Sequence, residues 1–436
     1  MTKNLPHNRL PDDFDAETYL SLHSDVRVAG VNAAEHYLTF GIAEGRGYRS
    51  LSQTRQTYLS RIAGLENFSF LLSRMPTYTA PPLALSPNVT GIDDAELIGR
   101  VTSAYRTSLE AYSPTDGFWD SWHFGLKKTI HDALAGDDRA VAAGVLRDPA
   151  SNVFFWGFDA IAKSPEGSPE PHELVLTRLN TSCDWRDLYA YWICDSLIGF
   201  AEMVGARRAV YPEYEVDRDL QTFEKILDTD ELLTDIEVEL GLELHFPNPF
   251  PSELGIASKR GLIGFRSVQA LYQGWRIATI AKGRQNFKVL EIGAGLGRTA
   301  YFANLFGVND YTIVDLPLTN AAQGYFLGRV LGADNVRLGG ETGTAAIRVM
   351  VNADMAGHDE TYDLVVNVDS LTEMPREVAK DYWSFIRSRS DSFLSINHEF
   401  NLHTVRELYR DDSTVFATRY PYPLRRGYVE ELLTLA

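Results

Sequence analysis

The run Val289-Leu290-Glu291-Ile292-Gly293-Ala294-Gly295-Leu296-Gly297-Arg298 sets an acid directly before a glycine-rich turn. Glycines let the backbone turn sharply and let a ligand approach it closely. Dinucleotide enzymes use a similar loop, but their fingerprint asks for Gly or Ala where this chain has Arg298. A carboxylate at Glu291 would also repel a pyrophosphate, whereas it favours the ammonium of an amino-acid ligand. Further on, Ile313-Val314-Asp315-Leu316-Pro317 ends a second strand with an acid. An acid there can accept both hydroxyls of a ribose. A ligand with an ammonium and a ribose but no phosphate is S-adenosylmethionine. Its expected contacts are Glu291, Gly293, Ala294, Gly295, Gly297, Asp315, Leu316 and Asn367, with Asp354 reaching the adenine amino group.

Two later loops carry a second set of polar groups. One holds Asn367, Asp369 and Glu373, the other Asn397, His398 and Glu399. A sulfonium is already an activated methyl donor, so the protein must position an oxygen and manage its proton. His398 is expected to be the general base, because its ordinary pKa suits proton uptake near neutrality. Asp369 would orient that base or the acceptor, and Glu373 is a competing base. Arg266, Asn397 and Glu399 are expected acceptor contacts, and Arg425 and Arg426 could meet an anionic acceptor. In a rival mechanism Asp369, Glu373, His398 and Glu399 hold Mg²⁺ or a similar hard cation. Trp119, Trp122, Trp156 and Tyr272 could stack on a sugar ring, although core packing is an equally ordinary use of such residues.

These groups need a scaffold that gathers loop ends. From Lys288 onward short apolar strands at Val289–Ile292, Tyr311–Val314, Leu364–Val368 and Phe393–Ile396 alternate with helical patterns. One such pattern sets Ala322, Phe326, Val330 and Leu331 on one face and stops at Gly332. Another aligns Val378, Tyr382, Phe385 and Ile386. Alternation of this kind implies an α/β fold with a mainly parallel sheet, whose ligands bind at the carboxyl ends of the strands. Upstream, the organisation reads as a small helical module over 1–50, a helix and Pro-rich linker over 51–92, and a helical domain over 93–250 that packs on or caps the catalytic domain at 251–436. In the helical domain Ile98, Val101, Tyr105 and Leu109 recur at helical spacing.

Composition narrows the partners. A net charge of −18 argues against a nucleic-acid partner held through a basic face. The two cysteines, Cys183 and Cys194, make no disulfide framework and have no metal-ligand spacing, so both read as buried thiols. No stretch resembles a signal peptide, and none approaches the roughly 18 apolar residues needed to span a bilayer. A cytoplasmic protein is the expectation, with a small-molecule or saccharide acceptor and a possible homo-oligomer.

The stretches Gly261-Leu262-Ile263-Gly264-Phe265-Arg266, Leu290 to Ala300, Tyr311 to Pro317, Asn367 to Met374, Ser395 to Glu399 and Arg426 to Glu431 together resemble a bacterial sugar O-methyltransferase family. The resemblance runs from about Phe246 to the C-terminus and extends weakly through Trp119 and Phe154–Phe158. It implies a class I methyltransferase fold with a mostly parallel seven-stranded sheet, S-adenosylmethionine as cofactor, and methyl transfer to a hydroxyl of a sugar or glycosylated small molecule. Asp315-Leu316-Pro317 is also similar to plant-type small-molecule O-methyltransferases. Residues 14–48 lie outside this likeness and resemble a short module found in bacterial proteins beside carbohydrate-active domains.

Overall fold

The computed structural model describes residues 10–42, 44, 46–50, 53, 56, 78–114, 117–169, 185–209 and 226–435. The first part of the helix and linker expected over 51–92 falls almost entirely outside them, as does Cys183. Cys194 is a buried free thiol.

The first three strands, β1 (Leu83–Leu85), β2 (Leu254–Ser258) and β3 (Gly261–Ile263), form a small antiparallel sheet in that order. β1 lies inside the stretch read as a Pro-rich linker, so that linker is partly built into the fold. Its pairing with β2 is extended by Ser86, whose hydroxyl donates to Phe250 O at 2.7 Å and accepts from Glu253 N at 2.8 Å.

The main sheet comprises β4 (Lys288–Ile292), β5 (Asp310–Asp315), β6 (Val336–Arg337), β7 (Ile347–Val351), β8 (Leu364–Val368), β9 (Ser392–His398), β10 (Val415–Pro421) and β11 (Tyr428–Leu435). Their order is β10-β11-β9-β8-β4-β5-β7-β6. Only β11 runs against the others, pairing antiparallel with both β9 and β10. The architecture is the expected α/β one with a mostly parallel sheet. It has eight strands rather than seven, because the two-residue β6 adds itself to the edge beside β7. The central strands are near-continuous apolar runs because helices cover both faces. Their side chains divide by alternation. Val289, Ile313 and Val366 enter one core, while Leu290, Ile292, Val314 and Val365 enter a second core with Trp383 and Ile386.

The first core is shared with the helical region. Helix Pro317–Leu331 begins with Pro at its first turn, where the missing N–H costs nothing. It packs against helix Ala95–Ala111, where a Cβ on Gly328 would lie 2.6 Å from Leu97 Cδ1. On its other faces Phe326 stacks on Phe250 and Leu327 packs beside Gly297; burying each is worth about 1.5–3 kcal/mol. Arg100 clamps the same junction, donating to both carboxylate oxygens of Glu341 (2.7 and 2.8 Å) and to the carbonyls of Ala333 and Val336. Helix Trp185–Val204 is buried on nearly every face and packs on helix Phe265–Ala281. At the N-terminus, helices Ala16–Leu22, Ser24–Ala29 and Ala33–His36 enclose a separate small core of Tyr19, Val26, Ala33, Tyr37 and Tyr48. Phe40, on the same segment, is mostly exposed.

Arg298, the residue that breaks the dinucleotide fingerprint, fastens these parts together. Its buried guanidinium donates to Asp159 Oδ2 at 3.0 Å, Glu253 Oε1 at 2.9 Å and Ser267 Oγ at 3.2 Å. Removing the cation would leave two buried carboxylates without a counter-charge. Arg298→Met is therefore expected to lower unfolding stability by about 3–5 kcal/mol. Denaturant melts of the two proteins measure this, and an unchanged midpoint would show that the cluster contributes nothing.

Candidate functional site

β4 delivers Glu291 to the point where the strand order reverses, with β5 on one side and β8 on the other. The chain then turns through Gly293 (φ 73°), Gly295 (φ 56°) and Gly297 (φ 89°), and helix Arg298–Leu305 follows. Gly293 N donates to Val314 O at 2.9 Å. A Cβ on Gly293 would sit 2.2 Å from Ser370 Oγ, and one on Gly295 would sit 3.4 Å from Phe158 O. The turn is thus pressed between the loop after β8 and a segment of the helical region. Beside it opens a cavity of about 490 Å³. Its floor is the ends of β4, β5 and β8, and its roof comes from residues 111–113, 117–120 and 157–159.

At one end stand the two acids expected to hold the cofactor. Glu291 is only 1% exposed and accepts from Tyr311 Oη at 2.9 Å. Burial pushes its carboxyl up to about 7, and the nearby Asp315 charge adds to the rise. Asp315 opens on the cavity but is otherwise walled by protein. Its oxygens accept from Leu316 N at 2.8 Å and Gln323 Nε2 at 2.7 Å, and burial pushes it up to about 6. Ala294 and Leu316 also line the cavity.

At the other end lies Glu373, which lines the cavity while remaining exposed. Trp119 Nε1 donates to it at 3.2 Å. Desolvation pushes Glu373 up to about 7, Asp369 reinforces the rise, and Arg266 and Arg425 oppose it. Asp369 adopts φ 57° and accepts from Tyr428 Oη at 2.8 Å and Arg425 Nη1 at 3.2 Å. Arg266 Nη1 lies 4.0 Å away. Arg266, Asp369 and Glu373 all line the cavity.

Other expected residues do not. The His398 ring packs against Tyr428, its Nδ1 accepts from Phe400 N at 3.2 Å, and its Nε2 faces Gly427. It is not among the residues that line the cavity. Asn397 is buried between strands, donating to Asn367 Oδ1 and Ser395 Oγ at 2.9 Å each. Asn367 braces the turn from below through Ile292 O, Ser370 Oγ and Leu371 N. Glu399 pairs with Arg419 at 2.5 Å. Asp354 is exposed, and its neighbours Asn352 and Ala353 line the cavity instead. The four proposed metal ligands therefore do not converge, and among the described residues no group of three or more His, Cys, Asp and Glu could hold a metal. Of the aromatics, Trp119 reaches the cavity, Trp156 is in the core, and Tyr272 donates to the buried Glu430 at 2.5 Å.

Sequence reasoning missed Tyr112, Asp120, Gln269, Asn352 and Tyr382, all of which line the cavity. Tyr382 and Val378 sat in a helical stripe that read as core. The structure buries Ala379, Trp383 and Ile386 in the core and gives Val378 and Tyr382 to the cavity. A helical period finds faces but does not say whether a face meets core or pocket.

No protein-family model matches the chain, and no curated protein matches its sequence. Solved structures similar in part include a glycopeptide N-methyltransferase complexed with S-adenosylmethionine (15% identity, 37% of this chain and 87% of that one, TM-score 0.29). Another is magnesium protoporphyrin IX methyltransferase from Synechocystis with S-adenosylmethionine bound (14%, 39% and 82%, 0.29). A third is a cyclopropane-fatty-acyl-phospholipid synthase-like protein from Lactobacillus casei (14%, 39% and 92%, 0.29). At these scores the likenesses decide nothing about this chain beyond what its own topology gives. Among the described residues no helix is long and apolar enough to cross a membrane.

The raised pKa of Glu291 has a measurable consequence. The folded, ligand-free protein holds that proton more tightly than the unfolded chain does. Its contribution is therefore fully present below about pH 4.5 and is lost as pH rises toward 7. The loss amounts to about 3 kcal/mol. Glu291→Gln should stabilise the ligand-free protein at pH 8 and leave it nearly unchanged at pH 4.5. Thermal melts at the two pH values compare them, and equal effects at both would contradict the assigned environment.

Proposed function

We propose that this chain is an S-adenosylmethionine-dependent O-methyltransferase acting on a hydroxyl of a sugar or glycosylated small molecule. The observation that carries the reading is one cavity with two buried acids flanking an open glycine turn at one end and a third acid, Glu373, at the other. Glu291 suits the ammonium of the donor's amino-acid half. Asp315 suits its ribose hydroxyls, and Asn352 lies where a nucleobase would follow. Bound there, S-adenosylmethionine supplies a methyl group on a positively charged sulfur.

The acceptor side belongs to Glu373, Trp119, Arg266 and Asp369. A sugar hydroxyl is a poor acid, so a base must take its proton as the oxygen attacks. Glu373 takes that role here instead of His398, because its carboxylate faces the cavity and its raised pKa favours proton uptake. Trp119 orients the carboxylate through its indole N–H and offers a ring face on which a sugar can lie. Arg266 is only loosely paired with Asp369, which leaves its guanidinium available to an acidic or hydroxyl-rich acceptor. The roof residues 111–113, 117–120 and 157–159 exclude water from the reacting atoms, which is the service we assign to the helical region.

Two measurements test this. Calorimetry on ligand-stripped protein should register S-adenosylmethionine and S-adenosylhomocysteine. Release of S-adenosylhomocysteine should then be screened against nucleotide sugars, oligosaccharides, glycosides and free phenols. With a productive acceptor, kcat/KM should rise with pH through a midpoint near 7, where Glu373 loses its proton. Glu373→Gln should cost about 10²- to 10⁴-fold in turnover and abolish that limb, whereas His398→Ala should keep it. Binding without turnover on any acceptor would favour a non-catalytic role in an assembly. Turnover confined to phenols would remove the sugar.

A further inference from the structure

The turn that follows β9 is inverted in polarity. Of Phe400-Asn401-Leu402-His403, the two apolar side chains face solvent, 91% and 101% exposed, and the two polar ones turn inward. Asn401 Nδ2 donates to Thr372 Oγ1 at 2.6 Å, and His403 is buried. Phe400 N donates to His398 Nδ1 at 3.2 Å, and Val405, buried just beyond, anchors the far side. The fold therefore holds Phe400 and Leu402 outward by its own contacts. An ordinary surface turn would present its polar residues and tuck in the large apolar ones. Two arginines flank the exposed pair. Glu399 N donates to Gly427 O at 2.9 Å, which sets the exposed Arg426 beside the turn. Arg406, also exposed, opens the helix Arg406–Tyr409 just after it. Neither arginine has an ion-pair partner among the described residues. Arg376, Arg410 and Arg419 stand nearby, paired with Glu407, Asp411 and Glu399.

In a chain of net charge −18, unpaired arginines around exposed apolar side chains are a local exception. A lipid surface offers the complement, an apolar layer beneath anionic headgroups. A second copy of this chain fits less well, because a two-fold contact through this patch sets the same arginines against each other. We propose that the turn at 400–403 docks this protein on an anionic lipid surface, with Phe400 and Leu402 entering the headgroup layer and Arg406 and Arg426 meeting lipid phosphates. Asn401 fastens the turn to Thr372, the residue before Glu373. Docking therefore brings the acceptor end of the cavity to the membrane, where a saccharide carried on a lipid would meet it. Only that consequence rests on the function proposed above.

The test is vesicle sedimentation with the full chain, which reads binding without any need for turnover. Vesicles are made of phosphatidylcholine alone and of phosphatidylcholine with phosphatidylglycerol. Wild type should pellet with the anionic vesicles only, and less so as salt rises. Phe400→Ser combined with Leu402→Ser should lose most of that binding. Arg406→Gln combined with Arg426→Gln should weaken it about thirtyfold. Both pairs should keep the wild-type melting temperature, because all four side chains are exposed. Wild type that stays in the supernatant with both kinds of vesicle, or substituted pairs that bind as wild type does, would overturn the inference. So would a concentration-dependent dimer in sedimentation velocity that Phe400→Ser with Leu402→Ser dissolves, since a second copy would then cover the turn.

Discussion

A guanidinium largely shielded from water must find its counter-charges within the protein, and Arg298 finds two from distant parts of the chain. Asp159 comes from the helical region and Glu253 from the strand pair β2–β3, while Arg298 itself opens the helix that follows the glycine turn. Those three points fix where Phe158 lies over Gly295, and hence how high the cavity roof stands. The spread of the first hydrophobic core across helices from both regions supports the same registration. Glycine turn, roof and small sheet are thus one packed unit, in which the cavity is the space left over.

Inside that space the charges are arranged as half-pairs. Glu291, Asp315 and Glu373 each have a raised pKa caused chiefly by desolvation, and among the described residues none has a lysine or arginine within bonding distance. Asp369, by contrast, is held by Tyr428 and Arg425. The difference separates acids whose charge is left without a cationic partner from one whose charge is paired in the wall. Elsewhere the protein tolerates buried carboxylates only with donors in place. Glu430 takes Tyr272, Arg276 and Tyr420, and Glu431 takes Tyr409 and Arg419.

Those two glutamates also explain which strands could be read in advance. The central strands announced themselves as apolar runs because helices cover both their faces. β10 and β11 did not. β10 is an edge strand with mostly exposed side chains, and β11 carries adjacent acids that read as solvated until their partners on other elements are known. β6 is two residues long, below any periodic signal.

The sequence by itself determined the α/β grammar, the glycine turn with its preceding acid, and the second acid at the next strand end. These are local: each depends on a few consecutive residues and on backbone rules that act at short range. It also marked the loop after β8 as a polar cluster. Only the tertiary structure decided which polar groups face the cavity. His398, Asn397 and Glu399 follow one another at the end of β9, yet their side chains go to Tyr428, Asn367 and Arg419. Glu373 meets Trp119 from more than two hundred residues upstream. Orientation at a strand end is set by the neighbours that pack there, and neighbours distant in sequence leave no mark on the local pattern.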